Sequence, residues 1–478
     1  MKDNDLNFHN SIFELEETAL ERKALFDKVN SFSEEFLESL PERKAFHYNT
    51  HQTTDSDSFF SINNEKNSIE NVLDFFKERV LDTGLNPTSG GHLGYIPGGG
   101  IFSSAIADYL AAITNRYAGE FYASPGAVRM GDALVNWAGK LMGYTEGFGG
   151  NLTSGGSIAN LIALHTAKHH KNITGSTITK SVVYCTAQSH HSINKALKII
   201  GLEDCIIRVI ALDAQFRISV KALEDQVRVD EQDGFTPFLL IANAGSTDVG
   251  AVDPLVSLAN IAKTHKMWFH VDGAYGAFFM LTEKGREKLK GIELADSIIL
   301  DPHKGMFLPY GSGIVLVKNV KHLAAAHSYT ANYMRDAYIE GQYSPSNLSP
   351  ELSKHFRGLR MWLPLKLYGQ QVFTDYLNEK LQLTTYLAQK LVEIGYKVIC
   401  EPELSVVAFR LELKQYSNDE QNKKVLDFIQ KDGRIFISST VLNNKLTLRA
   451  AILSFRTHKK DIDLFLELLK EAKLSLEV

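Results

Sequence analysis

The sequence has few cysteines, no long apolar run and no excess of positive charge, and each absence excludes a class of protein. Its three cysteines, Cys185, Cys205 and Cys400, lie far apart and lack the C-x-x-C spacing of zinc or redox sites. A disulfide framework is therefore not expected. The small number of cysteines instead predicts a reducing, cytoplasmic compartment. No apolar stretch approaches the roughly 18 residues that a membrane span requires. The acidic amino-terminal segment also lacks the apolar core of a signal peptide.

The charge balance excludes a second class of function. The 51 lysines and arginines are outnumbered by 56 aspartates and glutamates, which gives a formal net charge of -5. No basic patch for nucleic acid or for a membrane surface is visible in the sequence. With 478 residues, of which 44% are hydrophobic, the chain is long enough for two or three cooperating globular domains. Chemistry on a small molecule is therefore the expected function.

Three segments are distinguished by their patterns. Residues 1–95 combine charge with apolar residues spaced by three and four, which predicts a helical arm. Residues 96–350 alternate helical stretches with short apolar runs, which predicts a large α/β domain whose mostly parallel sheet is covered by helices on both faces. Residues 351–478 pair helices with a few strands and predict a small carboxy-terminal α/β domain. In sheets of this kind, ligands bind at the carboxyl ends of the strands.

Four polar signals occur where predicted strands end. A Gly-Gly-Ser turn at residues 155–157 opens a helix and suits a phosphate, although such turns also cap helices for structural reasons alone. His190 follows a strand, where most histidines are ordinary loop residues. Asp272 ends the strand in "WFHVD", where an acid often caps a turn. Lys304 leaves the strand in "SIILDPHKG", where a lysine commonly packs its stem and exposes its ammonium. Each signal has a structural explanation, but all four point to one edge of one sheet.

One cofactor requires this combination of groups. Pyridoxal 5'-phosphate needs a lysine for a Schiff base, a carboxylate beside its pyridine nitrogen and an anion site for its phosphate. The predicted sheet edge supplies all three together with an imidazole. The sequence therefore predicts a pyridoxal-phosphate enzyme, and nothing in the residues suggests a metal site.

The motifs "GYIPGGG", "SPGAV", "TSGGSIANLIAL", "HVDGAYG", "DPHKG", "HFRGLRMWLPLKLYG" and "LRAAILSFRT" resemble those of the group II pyridoxal-phosphate-dependent amino-acid decarboxylases. That family includes the aromatic-amino-acid, tyrosine, histidine and glutamate decarboxylases. The resemblance covers nearly the whole chain. It implies the aspartate aminotransferase-like fold of type I and a homodimer with shared active sites. It also implies loss of carbon dioxide from an L-amino acid to give an amine.

The resemblance assigns roles around the cofactor ring. Lys304 matches the Schiff-base lysine, and Asp272 matches the partner of the pyridine nitrogen. His190 matches the histidine that stacks on the ring, and Ala274 would lie against the opposite face. Thr247 matches a position that flanks the ring.

Other positions match the phosphate site of the family. Gly155, Gly156 and Ser157 would hold the phosphate through backbone amides and the serine hydroxyl. His303 would help to seat the phosphate or the Schiff base. The stretch around Ser353 would reach the phosphate from the neighbouring subunit. This part of the resemblance implies that the dimer is obligate.

The catalytic loop and the substrate pocket complete the set of expectations. Tyr333 matches the tyrosine of a mobile loop that protonates the substrate carbon after carbon dioxide leaves. His92, Tyr95, Ile96 and Pro97 are candidate pocket walls that would suit an aromatic side chain. Acidic and diamino acids remain open as alternatives.

Departures from the family pattern leave the substrate open. Gly305 replaces a bulky aromatic residue, Gly131 replaces a glutamate, and Lys354 and His355 stand where an arginine pair is usual. The competing functions are an aminotransferase, a carbon-carbon lyase of phosphorylated sphingoid bases, an aldehyde synthase and a non-catalytic binding protein. Tyr333 disfavours the aldehyde synthase, which commonly has phenylalanine there, and the presence of Lys304 and Asp272 disfavours the binding protein.

Overall fold

The computed structural model describes residues 15–48, 60–328 and 343–477. An amino-terminal region of helices precedes a large sheet-containing region, and a smaller sheet with its own helices follows. No helix in these ranges is both long and apolar enough to cross a membrane.

The amino-terminal region is helical with one short strand pair. Thr18 begins the first helix with a reciprocal capping box to Glu21, which satisfies two otherwise free backbone amides. The elements up to the large sheet are α1 (Ala19–Ser39), β1 (Phe46–His47), α2 (Ile69–Phe76), β2 (Gly84–Leu85), α3 (Phe102–Thr114) and α4 (Pro125–Leu141). A π-helical turn, Lys77–Leu81, extends α2. Strands β1 and β2 pair antiparallel.

Seven strands form the large sheet, in the order β3-β9-β8-β7-β6-β4-β5. They are β3 (Gly149–Thr153), β4 (Ser181–Thr186), β5 (Ile206–Ile210), β6 (Thr236–Asn243), β7 (Trp268–Asp272), β8 (Ser297–Leu300) and β9 (Gly313–Val317). Strand β9 is antiparallel to both of its neighbours, whereas β8, β7, β6, β4 and β5 pair in parallel. The prediction of a mostly parallel sheet is confirmed.

Helices cover both faces of this sheet. In β4, Val182 and Tyr184 join one apolar cluster, and Val183 and Cys185 join another on the opposite face. This alternation follows from the two-residue period of a strand and explains why the run contains no exposed residue. The covering helices are α5 (Gly156–His170), α6 (Ser192–Ile199), α7 (Val220–Gln232), α8 (Leu255–Thr264), α9 (Glu283–Lys288), α10 (Pro302–Gly305) and α11 (Val320–His327).

The carboxy-terminal region forms a second sheet with its own core. Its elements are α12 (Gly358–Glu393), β10 (Tyr396–Val398), β11 (Val406–Leu411), α13 (Asn418–Asp432), β12 (Ser438–Leu442), β13 (Lys445–Ala451) and α14 (Lys459–Glu477). The four strands pair antiparallel in the order β10-β11-β13-β12. Helix α12 contains a kink at Gly369, whose φ of 70° is not helical.

The segment before α3 connects the two sheets. Leu93 packs in the apolar cluster of the carboxy-terminal sheet, and its amide donates to the carbonyl of Phe436. A side chain at Gly98 would come within 2.1 Å of the His303 carbonyl oxygen. Glycine is therefore required where this segment crosses the backbone next to Lys304. The division into 1–95, 96–350 and 351–478 stays a prediction.

Candidate active site

The carboxyl ends of the strands in the large sheet enclose a cavity of about 300 Å³. Strand β7 ends at Asp272, β8 ends two residues before Pro302, and β3 ends at Thr153, before the turn into α5. Because parallel strands end at the same edge, residues far apart in sequence meet there. Nine residues predicted from the sequence line the cavity: Gly155, Gly156, Ser157, His190, Thr247, Asp272, Ala274, His303 and Lys304.

Lys304 lies at the floor of this cavity on the short helix α10. Its side chain is 22% exposed, and its Nζ lies 3.1 Å from Oδ2 of Asp301. The neighbouring His303 is fixed by a 2.6 Å hydrogen bond between its Nδ1 and the carbonyl oxygen of Ser312. Burial lowers the pKa of His303 below the usual histidine value. The amine therefore stands on a rigid turn and is paired with a buried carboxylate.

Asp272 is buried, and its carboxylate is held by two donors. The amide of Ala274 donates to Oδ1 at 3.1 Å, and Nδ2 of Asn160 donates to Oδ2 at 3.0 Å. Nδ2 of Asn160 also donates to the Ser192 hydroxyl, which lies 2.8 Å from Nδ1 of His190. Charge-assisted hydrogen bonds of this kind orient a carboxylate firmly. One amide side chain thus links the acid and the imidazole of the site.

A buried chain of hydrogen bonds extends this network behind the sheet. Nε1 of Trp268 donates to the Ser297 hydroxyl, which lies 2.8 Å from Nδ1 of His270. Nε2 of His270 lies 2.9 Å from Oδ1 of Asn160 and carries the proton, because an amide oxygen only accepts. Burial lowers the pKa of His270 to about 4, so the ring is neutral. The chain therefore fixes the amide orientation of Asn160 toward Asp272.

His190 stands at the wall of the cavity beside its sequence neighbour. The ring centroids of His190 and His191 are 4.0 Å apart. Burial lowers the pKa of His190, and the Asp272 carboxylate opposes this effect. The imidazole ring presents a flat surface that suits stacking on an aromatic ring.

The turn before α5 has the shape of an anion site. Gly155 adopts a φ of +155° at the helix N-cap, a conformation that side chains rarely allow. The first amides of this 15-residue helix are free of partners within the helix, and Ser154 and Ser157 stand beside them. These groups, the amine and the buried acid together match the phosphate, the aldehyde and the pyridine nitrogen of pyridoxal phosphate. The residues present therefore fit this cofactor.

Five other predicted residues do not line this cavity. His92, Ile96 and Pro97 are buried in the segment before α3, and burial lowers the pKa of His92 to about 4. Tyr95 is exposed, with a φ of 51°. Ser353 is exposed away from the cavity of its own subunit. Tyr333 lies outside the described residues.

The structure also adds residues that the sequence did not single out as functional. Asn160, Ser192 and Asp301 line the cavity. Arg449 is a buried cation in β13, and it donates to the Tyr95 carbonyl oxygen at 2.9 Å and to the Ser438 hydroxyl. The only sequence signal for Asp301 was its position three residues before Lys304. Asn160 and Ser192 lie within helices and carried no signal of their own.

Comparisons with known proteins agree with this geometry. Residues 57–412 match the model of the pyridoxal-dependent decarboxylase conserved domain. The chain is 33% identical over 398 residues to an aromatic-L-amino-acid decarboxylase of Bacillus atrophaeus, which covers 82% of each protein. Among solved structures, the tryptophan decarboxylase of Catharanthus roseus in complex with L-tryptophan matches with a TM-score of 0.89, at 20% identity over 96% of this chain and 99% of the other. The Oryza sativa enzyme with pyridoxal phosphate and tryptamine matches with a TM-score of 0.90, at 19% identity over the same shares.

The family match covers more than half of the chain, and the structural matches confirm the predicted fold of type I. The predicted cofactor is confirmed by the same family assignment. The chain belongs to the pyridoxal-dependent decarboxylases and is a carboxy-lyase that uses pyridoxal 5'-phosphate.

Proposed function

We propose that this cavity decarboxylates an aromatic L-amino acid to the corresponding amine and carbon dioxide. The observation that carries the proposal is the placement of Asp272 and Lys304 at the ends of adjacent strands, on one cavity with the turn at residues 155–157. When bound, pyridoxal phosphate supplies an electron sink for the electron pair that remains on Cα after carbon dioxide departs. The chain's own residues would hold this cofactor and keep its pyridine nitrogen protonated.

Each group has a task that its surroundings support. Lys304 would provide the amine to which the cofactor attaches and which the substrate amine would displace. Asp272 holds the proton of the pyridine nitrogen, and the hydrogen bonds from Asn160 and Ala274 keep the carboxylate oriented for this purpose. His190, Ala274 and Thr247 would contact the cofactor ring. Gly155, Gly156 and Ser157 would hold the phosphate, with His303 as a neighbour.

The proposed enzyme is a homodimer whose subunits complete each other's sites. Five apolar residues on one face of α3 are between 38% and 66% exposed: Phe102, Ile106, Tyr109, Leu110 and Ile113. Their spacing by three and four makes a continuous stripe, which is typical of a protein interface. In this arrangement Ser353 reaches the phosphate of the partner subunit, and Tyr333 returns the proton to the substrate carbon. A cytoplasmic location completes the proposal and is supported by the three unpaired cysteines.

Relatives named for aromatic amino acids support the aromatic substrate. An acidic amino acid is the second candidate, for which the buried Arg449 would supply the cation; Arg449 does not line the described cavity. This guanidinium is 3% exposed, and its Nε has no hydrogen-bond partner among the described residues. A buried cation with a free donor gains from a carboxylate nearby.

Two measurements test the proposal. Borohydride reduction of the yellow protein, followed by peptide mapping, is expected to place the cofactor on Lys304; a label on another lysine would contradict the assignment. Carbon dioxide release is then measured across the twenty amino acids, dihydroxyphenylalanine, ornithine and diaminobutyrate. The highest kcat/KM is expected for an aromatic substrate, whereas a preference for glutamate or aspartate would favour the Arg449 alternative.

A further inference from the structure

Asp301 stands at the N-cap of α10 but does not cap it. Aspartate at this position normally accepts a hydrogen bond from the first turn of the helix, yet the Asp301 side chain makes no such bond. The residue is 3% exposed. Its Oδ2 lies 3.1 Å from Nζ of Lys304, and its Oδ1 is buried without a hydrogen-bond partner in the described part of the chain. A buried carboxylate with one unsatisfied oxygen is costly and requires a functional explanation.

The carboxylate of Asp301 lies directly against the turn at residues 155–157, the proposed phosphate site, which is called the cradle below. A Cβ atom added at Gly156 would be 2.9 Å from Oδ2 and 3.2 Å from Oδ1 of Asp301. Gly156 is the first residue of α5, and both residues line the same cavity. His303 contributes a second nearby ring, with its Nε2 3.8 Å from Oδ2 of Asp301. The site that must receive a phosphate therefore already contains a buried negative charge.

Binding of the cofactor changes the charge balance around this carboxylate in two ways. Lys304, whose ammonium balances Asp301 in this structure, becomes part of the Schiff base and ceases to be an ordinary ammonium. The phosphate also brings a charge of about -1.5 to -2 to the adjoining amides. A like charge at this distance favours the protonated form of a carboxyl group.

We propose that Asp301 makes capture of the phosphorylated cofactor proton-dependent. Its carboxylate pairs with the Lys304 ammonium before the cofactor binds, and it takes up one proton when the phosphate occupies the cradle. The neutral carboxyl group then donates that proton in a hydrogen bond to the phosphate. This inference rests on the assignment of residues 155–157 as the phosphate site.

Protons and atoms balance when the cofactor attaches to Lys304. When the Lys304 nitrogen attacks the cofactor aldehyde, the aldehyde oxygen leaves as water and a carbon-nitrogen double bond forms. The proton that Asp301 acquires comes from the Lys304 ammonium or from solvent, depending on whether the Schiff-base nitrogen retains its own. In either case, replacing Asp301 with a residue that cannot take up a proton removes one proton from the binding equilibrium. The difference between wild type and variant therefore reports the Asp301 proton, provided that Lys304 is an ammonium in both cofactor-free proteins.

The test measures the affinity of the cofactor-free full-length protein for pyridoxal phosphate between pH 7 and pH 9. Plotted against pH, the logarithm of the affinity of Asp301→Asn is expected to have a more positive slope than that of wild type, by up to about one unit, the limit that linkage of one proton sets. At the upper end of this range the variant is expected to bind about tenfold more tightly or better, because an amide donates to phosphate without a proton. Asp301→Ser is a second neutral variant with the same expected slope. Equal slopes in wild type and the variants would overturn the proposal.

Two controls make the outcome specific. Asp248→Asn removes a half-buried carboxylate that pairs with Gln188 and does not line the cavity, so its slope is expected to match wild type. Calorimetry on wild type in buffers of different ionisation enthalpy counts protons directly, and pyridoxal phosphate is expected to take up about one more proton than pyridoxal. Equal counts would overturn the proposal without any variant. Borohydride labelling of Lys304 in each protein separates this result from a failure of the cofactor site itself, which would overturn both.

Discussion

At the residue scale, the orientation of Asp272 depends on a side chain that lies 112 positions away in the sequence. Asn160 donates to Oδ2 of Asp272 at 3.0 Å, and its own oxygen is fixed by His270. A hydrogen bond to a charged group contributes about 1.5–3 kcal/mol. Asn160→Ala is therefore expected to lower kcat by about ten- to a hundredfold. The KM for the amino acid is expected to change little, because Asn160 acts through Asp272.

The control for this substitution is Thr166→Val on the same helix. Thr166 is buried and bonds to the Ile162 carbonyl oxygen and the His327 ring, remote from the cofactor. The Thr166→Val variant is expected to be less stable than wild type but to keep the same kcat per bound cofactor. The pH dependence of the bound cofactor's absorption is expected to change only in Asn160→Ala. An unchanged spectrum and kcat in that variant would show that Asp272 is oriented without Asn160.

Some residues of this site could be predicted from the sequence, and Asn160 could not. Lys304, Asp272 and the turn at residues 155–157 could be predicted, because each ends a strand and carries a chemical group that the cofactor requires. Asn160 lies within a helix, and its hydrogen bonds depend on the packing of that helix against the sheet. No local pattern marks such a contact, since the spacing of 112 residues is set by topology alone. The four residues proposed as pocket walls do not line the cavity of this subunit, and their role in a substrate pocket stays a prediction.

At the element scale, the short helix α10 is shaped by the residue after Lys304. A Cβ at Gly305 would be 2.6 Å from Cβ of Phe278, a residue that is fully buried. The bulky aromatic residue of the family pattern is therefore sterically excluded in this packing. Gly305→Ala is expected to reduce the free energy of unfolding by about 1–3 kcal/mol, as overpacking of a core does. Urea unfolding measures this change.

Gly126→Ala is the matched control in another helix. Nothing lies within 4 Å of a Cβ at Gly126, so alanine there is expected to leave stability unchanged or raise it by up to about 1 kcal/mol. If both variants unfold at the same urea concentration, Phe278 does not constrain α10.

The strands of the large sheet were predictable from their apolar runs. The reversed direction of β9 was not, because direction depends on how the chain returns rather than on composition.

At the scale of the whole molecule, the exposed stripe on α3 is a feature that a single chain leaves unexplained. Its residues lie beside α1, where Phe26 contacts Tyr109 with ring centroids 5.6 Å apart. Stable interfaces bury about 1,200–2,000 Å² in total, and an apolar stripe of this length is a suitable centre for one. The double substitution Ile106→Glu and Ile113→Glu places charges in the middle of the stripe. It is expected to convert the proposed dimer to a monomer in analytical ultracentrifugation.

Activity is the second part of this prediction, because the proposed sites are shared between subunits. The double variant is expected to lose at least about tenfold in kcat, since burying unpaired charges in an interface costs several kcal/mol. The loss is expected to diminish at higher protein concentration, as mass action requires. Ile199→Glu on α6 is the control, because Ile199 is 70% exposed and lies outside the stripe. A double variant that sediments like wild type would place the interface elsewhere, and a fully active monomer would show that each subunit completes its own site.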